Sequence, residues 1–133
     1  MNLIVVLDDR NGMLFNHRRQ SRDRVLTDRI LQISGGKLTI HPYSAELFAG
    51  KDVDLTIAED PLSVAEKGEW CFLEDRLPAP VINQIEKLIV YRWNRVYPSD
   101  LKFDFDLSAM KCISKTDFAG YSHETLTEEV YLK

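Results

Sequence analysis

Residues Leu3 to Leu7 form an unbroken apolar run with two adjacent valines, and the run stops abruptly at Asp8, Asp9 and the Asn11-Gly12 turn pair. A strand without a polar face cannot lie open to water, so this run predicts a central strand covered on both sides. Few architectures supply such cover. The rest of the chain must place layers above and below a mostly parallel sheet.

The downstream pattern meets that demand. Ser21 can cap a helix whose apolar positions Val25, Leu26, Ile30 and Ile33 recur at helical spacing, with Gly35-Gly36 as its stop. Lys37 to His41 reads as a short strand ended by Pro42, and Ser44 as the cap of one or two helical turns through Phe48. Val53 to Ile57 alternates as a half-buried strand does, and Asp60-Pro61 opens a helix running to about Lys67. Trp70 to Leu73 is a further buried strand, Pro78 and Pro80 introduce a short helix through about Ile85, and Lys87 to Trp93 is a strand again. Met13, Leu14 and Phe15 read instead as a loop that folds over something. Beyond Tyr97-Pro98, Met110 to Ile113 and Glu128 to Leu132 read as strands joined only by a polar link containing Gly120, an antiparallel ending. The expectation is one α/β domain over residues 1–133: a mostly parallel central sheet with helices on both faces and a C-terminal antiparallel hairpin.

Composition narrows the function classes. With 133 residues, 44% hydrophobic and 29% charged, the chain can bury one continuous core, which argues against disorder. Its apolar runs are too short for a membrane helix, and its first residues lack a signal-peptide layout; a cytoplasmic protein with no membrane partner is expected. Cys71 and Cys112 read as small buried hydrophobes, and with His17, His41 and His123 scattered, no metal site is expected. A net charge of -4 gives no general attraction to nucleic acid. The local distribution differs, because His17, Arg18, Arg19, Arg22 and Arg24 set a basic end on an acidic body.

The order Leu3-Ile4-Val5-Val6-Leu7, Asp9-Arg10-Asn11-Gly12-Met13, then a loop and a helix with Asp23 near its start, resembles dihydrofolate reductase. Trp70 to Leu73, Glu86 to Tyr91, Ser99-Asp100, Phe103-Asp104-Phe105 and the terminal hairpin continue the likeness along nearly the whole chain. The resemblance implies hydride transfer from NADPH to a pterin held against the first strand (Val5, Val6), the Gly12, Met13 and Phe15 loop, and the basic segment Arg18, Arg19 and Arg22. It also implies that Asp23 is the carboxylate that handles the proton, its pKa raised by desolvation. The alternative for Asp23 is an acid favoured by the helix dipole whatever the function. Two departures oppose a conventional cofactor site. His41-Pro42-Tyr43-Ser44 stands where the family places Gly-Arg and a hydroxyl residue, leaving Ser44 as the surviving phosphate contact. Glu74 and Asp75 stand where adjacent glycines approach the pyrophosphate, and two carboxylates there repel it.

Two functions follow as expectations. One is a divergent NADPH-dependent pterin or folate reductase. The other, whose partner is an anionic ligand or RNA rather than the small heterocyclic ligand of the first, is a non-catalytic binding or regulatory module of the same fold that uses its arginines. The basic run itself reads equally as an anion site or as a solvated segment paired with the acidic body. Trp93, Asn94, Arg95 and Tyr97 read as a pocket mouth or as aromatics packed over a sheet edge. Ser122-His123-Glu124 are neighbours that point different ways and form no relay by themselves, so hydrolase chemistry is not expected.

Overall fold

The computed structural model describes residues 1–78, 83–103 and 106–133. Its strands are β1 (Asn2–Leu7), β2 (Gly12–Phe15), β3 (Arg18–Arg19), β4 (Lys37–Ile40), β5 (Asp54–Ile57), β6 (Trp70–Phe72), β7 (Lys87–Arg92), β8 (Leu101–Lys102), β9 (Lys111–Phe118) and β10 (Leu126–Leu132). Among the described residues, the α-helices α1 (Arg24–Ile33) and α2 (Pro61–Val64) join a 3₁₀ segment over Pro42–Phe48 and a shorter one over Leu107–Ala109. Seven strands form the main sheet in the order β5-β4-β6-β1-β7-β10-β9, and β3-β2-β8 form a small second sheet.

β1 lies in the middle, parallel to β6 on one side and to β7 on the other, as its unbroken apolar sequence requires. Side chains alternate across it. Leu3, Val5 and Leu7 join Leu62 of α2, Leu88 and Val90 in one layer, while Ile4 meets Leu26 and Ile30 of α1, Phe72 and Ile89 in the other. α1 therefore covers one face, while on the other α2 contributes a single turn. β10 then pairs antiparallel with β7 and with β9, which is the expected closing hairpin at the sheet edge. A buried polar clasp ties α1 to this half: the Tyr91 hydroxyl and Arg29 Nε donate to the same Glu128 carboxylate, at 2.8 and 2.9 Å.

Several local expectations are corrected. Gly12 to Phe15 is a strand rather than a loop, because Asn16 and His17 both take positive φ (51° and 59°) and make a two-residue hairpin onto Arg18 and Arg19. Such turns favour glycine at the second position, and the histidine hides the signal. α1 is capped by Asp23, not Ser21: the Asp23 carboxylate accepts from the N–H groups of Val25 and Leu26. The segment after β4 is capped by His41, whose Nδ1 accepts from the Tyr43 N–H, and not by Ser44. α2 stops after one turn. Cys71 is buried but Cys112 lies on the exposed edge strand β9. The helix expected between Pro78 and Ile85 falls largely outside the described residues, as do Asp104 and Phe105.

Truncating Leu3, which is 0% exposed at the centre of the sheet, removes packing on both neighbours. Leu3→Ala should lower stability by ~2–5 kcal/mol, read as a lower urea midpoint at unchanged slope.

Candidate functional site

The parallel strands end on one side of the molecule, and the chain reverses its direction of winding at β1, with β4, β5 and β6 to one side and β7 to the other. Ligands of open α/β sheets sit in the crevice at such a point. Here its walls come from the end of β1, from β2 and from α1.

Asp8, which follows β1, is fully buried and holds the crevice together. Its carboxylate accepts from the N–H groups of Arg10 (2.8 Å), Gly12 (2.7 Å) and Tyr97 (3.2 Å) and from the Gln20 amide (3.1 Å). Burial alone pushes the Asp8 carboxyl up, but these four donors outweigh it and hold it low. The same close packing explains Gly12, where a Cβ would lie 2.6 Å from Gln20 Nε2 and 2.8 Å from Asp8 Oδ2. Gly12 is thus a place where the backbone turn meets three side chains, those of Gln20, Asp8 and Ser99, a role apart from the ligand contact that resemblance implies.

Asp23 faces the same crevice and is 4% exposed. Besides capping α1, its carboxylate accepts from the N–H of Tyr121 (3.0 Å), the N–H of Ser122 (2.9 Å) and Nδ1 of His123 (2.9 Å). Desolvation raises its pKa, as expected from sequence, yet the bonds from Tyr121, His123, Ser122 and Leu26 reverse the sign and keep it far below the usual carboxylate range. The expectation of a raised pKa is therefore corrected: hydrogen bonding to the charged form overrides burial. Gly120 gives this loop room, since a Cβ there would meet Asp23 Oδ2 at 2.8 Å.

His123 completes the arrangement. Its ring is 8% exposed, stacks on Trp93 with centroids 4.7 Å apart, and turns Nε2 toward the Ser21 hydroxyl at 3.0 Å. No local motif announces this grouping, because about a hundred residues separate its members. Only the return of the C-terminal hairpin brings them together.

At the carboxyl ends of β4 and β6 a second polar group forms. Arg19 clasps Glu74 with two bonds (Nε to Oε1 2.8 Å, Nη2 to Oε2 2.9 Å) and also pairs with Glu46, while its guanidinium lies over the Tyr43 ring. The Ser44 hydroxyl donates to the same Glu74 carboxylate at 2.7 Å and is 1% exposed. Ser44 thus serves Glu74, and the bidentate pair commits the Arg19 charge internally.

The remaining expected residues divide among three spaces. Val6, Met13, Arg19, Arg22 and Asp23 border an inner cavity of about 30 Å³, walled also by Phe72 and Trp93. Val5 does not, since strand alternation turns it into the opposite layer with Leu3. Phe15 and Arg18 line an outer cleft of about 540 Å³ with Tyr97 and Pro98. Arg22, Arg24 and Lys51 edge a third cleft of about 330 Å³, where Arg24 lies over the Tyr121 ring. The arginines that crowd together in sequence thus do not converge on one point. Among the described residues, no group of histidine, cysteine and acid side chains is arranged to hold a metal, and no helix is long and apolar enough to cross a membrane.

No protein-family model matches this sequence, and no curated protein matches it. Among solved structures, the chain superimposes on a dihydrofolate reductase from Enterococcus faecalis, complexed with NADP(H) and RAB-propyl, with a TM-score of 0.69. The match covers 98% of this chain and 94% of that one. The fold is dihydrofolate reductase-like. Identity is 11%, so what carries over is the architecture, while the groups inside the crevice must be judged on their own contacts.

A depressed carboxylate contributes stability above its unfolded pKa of about 4 and loses that contribution as pH falls toward its folded value. The protein should therefore weaken on acidification below about pH 4, with Asp23→Asn showing a flatter dependence in urea melts. Asp23→Ala, which strands a buried histidine and four backbone donors, should cost ~3–5 kcal/mol at neutral pH.

Proposed function

We propose that this protein is a ligand-binding module on a dihydrofolate reductase-like scaffold, taking a small, flat, anionic heterocycle and performing no nicotinamide-dependent hydride transfer. The observation that carries the reading is the Arg19–Glu74–Ser44 cluster at the carboxyl ends of β4 and β6. A dinucleotide's pyrophosphate would have to displace a paired, desolvated carboxylate, and the Arg19 beside it is already committed to Glu74 and Glu46. These residues do not fit the cofactor. Asp23 argues the same way, since an aspartate held ionised by six hydrogen-bond donors is a poor source of a proton for a pterin.

The inner cavity is too small for a bicyclic ring, whereas the outer cleft is not. There Phe15, 44% exposed, and Tyr97 both line the wall and offer ring faces for stacking, and Arg18 offers its fork to a carboxylate or phosphate. Gln20 Oε1, on the wall shared by cleft and cavity, is buried without a hydrogen-bond partner among the described residues, and a ring N–H of the ligand would satisfy it.

Titration separates this reading from a reductase. NADPH up to millimolar concentration should leave nicotinamide fluorescence unchanged. Pterin-6-carboxylate or a purine mononucleotide should raise the melting temperature by a few degrees at a hundredfold excess over Kd, in a salt-sensitive way. Arg18→Ala and Phe15→Ala should each weaken binding about tenfold. Micromolar NADPH binding would restore the reductase reading, and indifference to every flat anion would remove the module reading.

A further inference from the structure

We propose that Ser21, His123 and Asp23 form a nucleophilic relay that hydrolyses esters of short acyl groups at the inner cavity. The inference is independent of the outer-cleft ligand and rests on three side chains in series. Asp23 Oδ2 lies 2.9 Å from His123 Nδ1, and His123 Nε2 lies 3.0 Å from the Ser21 hydroxyl. An ionised carboxylate only accepts, so Nδ1 carries the ring proton and Nε2 is left as the acceptor that faces Ser21. This is the order nucleophile, base, orienting acid that activates a serine, recognised by geometry rather than by motif or chain order.

The surroundings fit the chemistry. The imidazole is fixed from both sides, by the Trp93 ring against its face and by the Asp23 bond at its edge. Tyr97 Oη stands 3.4 Å from the same Nε2, a longer contact than that of Ser21. Ser122 Oγ lies 3.3 Å from Nδ1 and 3.2 Å from Asp23 Oδ2, where it supports the acid and cannot compete for Nε2. Ser21 is half-buried on the wall of the inner cavity, with Val6, Met13 and Phe72 as apolar lining and Arg22 on the same wall. About 30 Å³ holds little more than one water molecule or the methyl end of an acetyl group, which sets the acyl size.

In the reaction, the Ser21 oxygen bonds to the acyl carbon as its proton passes to His123 Nε2, and Arg22 balances the charge that develops on the carbonyl oxygen. The bond to the leaving alkoxide breaks and the imidazolium returns the proton to that oxygen, which departs as an alcohol. Water then adds to the acyl carbon, giving a proton to Nε2. The Oγ–acyl bond breaks, Ser21 recovers its proton, and a carboxylic acid leaves. Ester and water become acid and alcohol with no other reactant.

The test uses the full chain, a fluorophosphonate probe and p-nitrophenyl esters. The probe should modify Ser21 and not Ser122, as located by peptide mass spectrometry. p-Nitrophenyl acetate should be turned over with an initial burst and at least tenfold faster than the octanoate ester. Ser21→Ala should abolish labelling, burst and turnover, and His123→Gln should lower kcat a hundredfold or more. Asp23→Asn keeps an acceptor at the helix cap and tests Asp23 as a positioning residue: kcat should fall at least a hundredfold while KM stays within a factor of two. Should that variant fail to fold, the labelling site and the Ser21→Ala rate decide. Absence of Ser21 labelling, or wild-type turnover by folded Ser21→Ala, overturns the proposal, as does an Asp23→Asn enzyme with unchanged kcat.

Discussion

The carboxylate of Asp23 is the contact on which the crevice depends. It is buried beneath the loop that joins the two C-terminal strands, and it draws into one place the first N–H groups of α1, the backbone of Tyr121 and Ser122, and the ring of His123. Removing a carboxylate from water opposes its charge, and a lone aspartate there would take up a proton. Enough donors surround this one to reverse the balance, so the charge persists and acts as a rivet between the first helix and the last hairpin. Because Ser21 and Arg22 immediately precede it, the wall of the inner cavity takes its position from the same rivet.

The crevice is lined by groups that mostly satisfy one another. A second carboxylate, Glu74, fills the place beyond β6 with Arg19 and Ser44 bound to it, so these charges meet each other. Asp23, which caps the first helix beside β1, holds its charge against the imidazole of His123. Architecture and site thus part company, as they do across many folds.

What the sequence discloses follows from the range of the forces involved. β1 is legible because a strand buried on both faces must be apolar at every position, and the Leu3 to Leu7 run admits no other placement. The closing hairpin is legible from the lack of a helical segment between its strands. β2 and β3 are hidden because their turn uses Asn16 and His17 at positive φ instead of a glycine. The cap of α1 slips by two residues because Ser21 and Asp23 are equally good local candidates, and the distant N–H groups of Tyr121 and Ser122 add to the aspartate a weight that no window of sequence contains. The same distance hides the pairing of His123, and it misdirects the expected pKa of Asp23, for which burial can be guessed from an apolar neighbourhood but the donors cannot.

Carbon-13 NMR of the Asp23 side-chain carboxyl, followed from neutral pH downward, measures the charge state of that group without an intermediary. The shift should stay at its ionised value through the range around pH 4 where free aspartate titrates, changing only as the fold is lost. A midpoint near or above neutrality, with the fold intact, would mean that burial governs Asp23 and that its hydrogen bonds do not.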